Sequence, residues 1–162
     1  MSIANVTIPE AIKPTLCFSG AANVVACDVI SCKNALKVLF FIHESGANDT
    51  DLTLQLTEAT DVAAGTNTPV TTACPIWTAH GMSTTVNTWT RQTDDDNVVF
   101  DPATQNPAIA IIEWDPAKHT AGYDCIYLAD TGGNASNTIE IWALVYLKGQ
   151  AKAANLPSVI VD

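Results

Sequence analysis

Three histidines, five cysteines and a short acidic run are the first places to look for chemistry in this 162-residue chain. Nucleophilic catalysis needs Ser or Cys beside a base that a third group orients. His43, His80 and His119 stand in no such setting, because there is no GxSxG elbow and the cysteines carry no flanking signature. His43 reads as a strand end, His80 as a loop residue before Gly81, and His119 as part of the 115–122 connection. Glu113 and Glu140 would make a glycosidase-like carboxylate pair if they faced one another. Each also alternates with apolar neighbours, as a residue does where a strand face meets water. Asp94-Asp95-Asp96, with Asp101 nearby, offers oxygens for Ca²⁺ but lacks the spacing of an EF-hand loop. Cys74 and His80 have no second pair to complete a zinc site. The reading is a protein that is not an enzyme and has no catalytic residues, no metal and no cofactor.

Composition narrows the class further. The formal charge is −10, and the only basic side chains are Lys13, Lys33, Lys37, Arg91, Lys118, Lys148 and Lys152. Nucleic-acid binding needs clustered Lys and Arg, so it is excluded from the expectation. No apolar run reaches the roughly 18 residues of a membrane helix. Met1 to Thr7 lacks the basic start and apolar stretch of a signal peptide, which predicts synthesis in a cytoplasm. Cys17, Cys27, Cys32, Cys74 and Cys125 form an odd set without CxxC, so buried thiols are expected rather than a disulfide framework.

The elements that must carry these residues are strands. Leu52-Thr53-Leu54-Gln55-Leu56-Thr57 alternates strictly, with three leucines on one face. Thr138 to Leu147 is apolar at nearly every position, as a strand covered on both faces would be, and Ala35 to His43 is a strong β run at the heart of the sheet. Further strands are predicted at Leu16–Phe18, Val24–Val29, Val70–Thr78, Thr84–Thr93, Val98–Phe100, Ala108–Trp114 and Cys125–Ala129. The Gly46–Asp51 cluster suggests that the Leu52 strand returns beside the Ala35 strand as a hairpin. Asp61–Pro69 reads as a loop, Asp115–Gly122 as one helical turn, and Thr131–Asn134 as a wide turn. The fold class is all-β: an antiparallel β-sandwich, jelly-roll-like, with extended N- and C-terminal segments. The expected organisation is an arm over residues 1–15, a sandwich domain over 16–151 and a tail over 152–162.

Trp77, Trp89, Trp114 and Trp142 would fill a core, an interface or a sugar-stacking platform. Trp89, in a Thr-rich half-exposed segment, is the candidate for a binding surface; Trp142 is the candidate for burial.

Several strings, read in order, resemble a family of tailed-bacteriophage proteins that decorate or cement the head. They are Val29-Ile30-Ser31-Cys32-Lys33-Asn34-Ala35-Leu36-Lys37-Val38, Glu58-Ala59-Thr60-Asp61-Val62, Ile76-Trp77, Thr90-Arg91-Gln92-Thr93-Asp94, Glu113-Trp114-Asp115-Pro116, Gly122-Tyr123-Asp124-Cys125-Ile126 and Leu156-Pro157-Ser158-Val159-Ile160-Val161-Asp162. Together they span most of the chain after residue 28, while the stretch before Leu16 departs from the family. The resemblance implies a β-sandwich on the outer capsid surface, a homotrimer, and the major capsid protein as partner, with no catalysis. The family supplies no active-site residues. Candidate interface positions therefore come from the apolar tails and the half-exposed strand: Ile3, Val6, Ile8, Trp89, Arg91, Leu156, Val159 and Ile160. The alternative expectation is a carbohydrate- or receptor-binding module of a phage tail or fibre.

Overall fold

The computed structural model describes residues 12–46, 50–81, 83 and 88–148. Two antiparallel sheets form a sandwich. The first runs β1 (Ile12–Ala21), β11 (Thr138–Leu147), β3 (Ala35–Ser45), β9 (Ala108–Trp114), β6 (Ile76–His80), β7 (Thr90–Arg91) in spatial order. The second runs β2 (Ile30–Ser31), β10 (Cys125–Asp130), β4 (Leu52–Ala59), β5 (Asn67–Pro69), and β8 (Asn97–Phe100) also pairs with β4. Alternation decides what each strand buries. Leu52, Leu54 and Leu56 of β4 are fully buried and meet Phe40 and Ile42 of β3, Ile112 of β9, and Ile141 and Ala143 of β11 in one apolar core. At roughly 25 cal/mol per Å² of apolar surface removed from water, this core is the main stabilising term.

Local chemistry explains the boundaries. Asp101 caps a short helix, α1 (Pro102–Gln105), by accepting from the Ala103 backbone N–H at 3.1 Å, with Pro102 in the first turn. Asp115 caps a 3-10 turn at Pro116–Lys118 in the same way, accepting from Ala117 N–H at 3.0 Å. The sequence reading found the second Asp-Pro start and missed the first. Gly133 holds φ +124 in the β10–β11 connection, where a Cβ would stand 2.2 Å from the Ala22 carbonyl oxygen. Gln55 stitches the point where β4 changes partner from β8 to β5, its amide donating to the carbonyls of Val70 at 3.2 Å and Asp96 at 3.1 Å.

The structure corrects several expectations. β3 and β4 are not a hairpin, since they lie in different sheets and the chain crosses between sheets after Ser45. Val24–Val29 makes a single bridge, Ala26 to Ala129, because it too crosses from the first sheet to the second. Within 70–78 the strand begins only at Ile76, whereas the expected 61–69 loop holds β5 at its end. β5 is an edge strand, where Pro69 is tolerated. Thr90–Arg91 is the strand part of the 84–93 segment; residues 84–87 lie outside the described set. β1 begins at Ile12, four residues before the expected sandwich boundary, and pairs with β11 from Ile12↔Tyr146 onward.

Candidate docking surface

Consecutive ladders fix which side chains share the outer face of the six-stranded sheet. Leu16 opposes Trp142, Trp142 opposes Phe41, Phe41 opposes Ile111, Ile111 opposes Trp77, and Trp77 opposes Arg91. One apolar row thus crosses five strands, about 19 Å at the usual strand spacing, and meets Arg91 on the sixth. The next row carries Pro14, Leu144, Leu39 and Glu113. Leu16 is 44% exposed, Trp142 37% and Trp89 40%. Trp77, Trp89, Leu39, Ile111 and Glu113 line an open cleft of about 390 Å³.

Polar groups rim the strip at both ends of the strands. On one side Lys37 bonds Glu113 at 2.6 Å and Asp115 at 3.5 Å, and the first of these bonds holds the lysine pKa above its ordinary value. On the other side Glu140 opposes His43. Arg91 stacks over Trp77 at 4.8 Å and donates to Asp94 and to the Gln92 carbonyl. An apolar centre inside a charged rim is the anatomy of a protein interface.

Of the proposed interface residues, Trp89 and Arg91 are exposed beside this cleft. Ile3, Val6, Ile8, Leu156, Val159 and Ile160 lie outside the described residues. The expectation that Trp142 is buried is overturned. β11 buries only alternate residues, Ile139, Ile141, Ala143, Val145 and Leu147, and turns Trp142 outward. Leu16, Phe41 and Ile111 were missed, and Trp77 was offered only as one of four core, interface or sugar-stacking tryptophans. For Phe41 the signal was present, because the centre of β3 is apolar at successive positions and so on both faces, while the described residues cover one.

His80, expected in a loop, instead ends β6 with its buried Nδ1 lacking a hydrogen-bond partner among the described residues, and burial lowers its pKa. Glu113 and Glu140 oppose Leu39 and His43, four residues apart on β3 and on opposite sides of it. Their separation along the strand alone is about 13 Å, beyond the carboxylate spacing of glycosidases. Asp95 and Asp96 accept from the Asn97 side chain, and Asp95 also from the Asp96 N–H. No group of three His, Cys, Asp or Glu suited to a metal occurs among the described residues. All five cysteines are buried free thiols. Burial raises Cys74 to about 11 and Cys125 to about 12, so neither is a nucleophile at neutral pH.

His119 is held between the sheets. Trp114 Nε1–H donates to His119 Nε2 at 3.2 Å, which assigns the neutral ring's proton to Nδ1, 3.1 Å from Glu58 Oε2. Thr120 N–H donates to the same carboxylate oxygen at 3.0 Å. Burial pushes Glu58 upward, but the bonds from Thr120 and His119 overcome it and leave the carboxyl below the ordinary range. The group has the members of a relay without a nucleophile on either side, and it ties β4 of one sheet to β9 of the other.

Glu44 is the opposite case. It is 0% exposed on the inner face of β3, neither carboxylate oxygen has a hydrogen bond of complete geometry, and burial raises its pKa although nearby Asn137 tempers the effect. A raised carboxyl contributes fully below its unfolded pKa, and that contribution is lost as pH rises through the folded value. Glu44→Gln is therefore expected to gain stability over wild type by an amount that grows from pH 4 to pH 8, reaching about 1 kcal/mol. Urea midpoints across that range measure it, and a pH-independent difference contradicts the assignment.

No protein-family model, curated protein or solved structure matches the chain. No helix among the described residues is long and apolar enough to cross a membrane.

Proposed function

We propose that this chain is a structural virion protein of a tailed phage, binding the outer surface of the head and cementing the major capsid protein shell as a homotrimer. The observation that carries this reading is the apolar row Leu16–Trp142–Phe41–Ile111–Trp77, left uncovered by the sandwich that positions it. Strands apolar on both faces require two covers, and a second protein surface supplies the missing one. The family resemblance supplies the partner. The strand order is consistent with a jelly roll, for β1-β11-β3-β9 lies against β2-β10-β4-β5 and the chain passes repeatedly between the sheets. The acidic surface suits a protein that must stay soluble until it docks.

The mechanism is additive clamping. Each docking contact is modest, but a trimer presents three at once, and effective concentration multiplies their strength. The segments before Ile12 and after Lys148 leave the same corner of the sheet, since Ile12 opposes Tyr146. Both are proposed to reach neighbouring subunits. Deleting residues 1–11 or 152–162 is expected to lower head occupancy by at least tenfold; full occupancy by both truncated chains, read from stained gels of purified heads, would remove the tails from the mechanism. A carbohydrate-binding role is favoured by one feature, the cleft between Trp77 and Trp89. Binding on a glycan array with no binding to heads would select it.

A further inference from the structure

The five thiols are not equivalent in their surroundings. Cys17 is the extra residue of a bulge in β1, where the register jumps between Leu16 and Phe18, and it points into the sandwich. The chain then leaves the first sheet and returns past it: Asp28 N–H donates to the Cys17 carbonyl at 3.0 Å, and Ala26 bridges to Ala129 of β10 in the second sheet. Cys27 is thus brought beside Cys17 in the same apolar cluster, the two thiols donating to the carbonyls of Asp28 and Thr15, each at 3.6 Å. Cys32 and Cys125 are also close along the backbone, Cys32 N–H donating to the Asp124 carbonyl at 2.7 Å, but their side chains lie in different clusters. Cys125 opposes Ser31, which puts Cys32 on the other face of that ladder, and Cys125 packs with Val29 and Ala59 in a separate cluster. Cys74 sits at the start of the 74–95 bridge among acidic residues.

We propose that Cys17 and Cys27 are a latent disulfide pair, joined when the chain meets a low-molecular-weight disulfide such as oxidised glutathione. One cysteine sulfur attacks the glutathione disulfide and expels one glutathione thiolate, leaving a mixed disulfide. The second cysteine attacks the protein sulfur of that bond and expels the other. Two protein thiols are oxidised, two glutathione sulfurs are reduced, and the two thiol protons end on glutathione. The bond ties edge strand β1 to the segment that bridges to β10, and so staples one sheet to the other. In a reducing cytoplasm the pair stays open: the neighbouring Cys17 thiol, together with burial, raises the Cys27 pKa and keeps it protonated. The staple then closes only after release into oxidising surroundings. This inference rests on the fold and is independent of any docking role.

The test uses the full chain in two arms. In one, native protein is incubated with oxidised glutathione; in the other, reduced denatured protein is refolded in a glutathione redox buffer, which removes any barrier of access. Both are alkylated in denaturant and mapped by mass spectrometry. The expected product has one peptide pair joined through Cys17 and Cys27, three alkylated cysteines, and a Tm raised by about 5 °C that falls back with dithiothreitol. Cys17→Ser and Cys27→Ser should lose the cross-link, whereas Cys32→Ser and Cys125→Ser should keep it. Appearance of the bond in the refolding arm alone still supports the pair. Five alkylated cysteines in both arms, or a pairing other than 17 with 27, would overturn it.

Discussion

Replacing Trp142 with glutamate is expected to weaken binding to phage heads by about 100-fold and to leave the thermal midpoint within about 2 °C of wild type. The side chain sits in the middle of the outward row, between Leu16 and Phe41, and is 37% exposed, so little packing is lost when it changes. In the proposed docking its contribution is expected to be large, since an aromatic side chain surrounded by apolar neighbours is the usual energetic centre of an interface. A buried carboxylate in its place would have no partner, and desolvating it adds to the loss. Leu16→Glu is expected to act in the same direction. Val99→Glu is the control, since Val99 is exposed on β8 of the other sheet. Equilibrium binding of labelled protein to heads measures the effect. Equal affinity for all three variants and wild type would place the docking surface elsewhere.

His119→Ala is expected to cost about 3 kcal/mol of folding stability, although the residue lies on a short connection rather than in a strand. The His119 side chain is 8% exposed and that of Glu58 4%. Removing the ring leaves Trp114 Nε1–H without an acceptor and leaves the buried Glu58 carboxylate with the Thr120 bond but without the one from His119. Glu58→Gln should cost less, about 1.5 kcal/mol, because the amide oxygen still accepts from Thr120. The pH dependence separates this from simple loss of packing. Glu58 is depressed in the folded state, so its contribution is complete above the unfolded carboxylate range and disappears as pH falls through the folded value. Wild type should lose stability on acidification more steeply than Glu58→Gln. Denaturant midpoints at intervals from pH 7 to pH 3 report it, and parallel curves for the two proteins would rule out the carboxylate.

Much of the fold was legible because strand alternation is a local property. Leu52, Leu54 and Leu56 face the core for the reason their spacing suggests, and the long runs at Ala35 and Thr138 became the neighbouring interior strands β3 and β11. The Asp-Pro start at 115 was read correctly as a single turn. What failed was pairing. The Gly46–Asp51 cluster looks the same whether a strand turns back beside its neighbour or crosses to a facing sheet, and it crosses. That choice depends on which sheet has an open edge, information spread over the whole chain.

The candidate surface divides along the same line. By itself the sequence determined that β3 and β11 are apolar on both faces, that charge is scarce and acidic, and that His and Cys stand in no catalytic pattern. Tertiary structure alone decided that the described residues leave one of those faces open, that Trp142 belongs to it, and that Glu58, His119 and Trp114 meet between the sheets. The physical reason is that hydrophobicity is written residue by residue, whereas burial depends on whether another layer arrives to cover it.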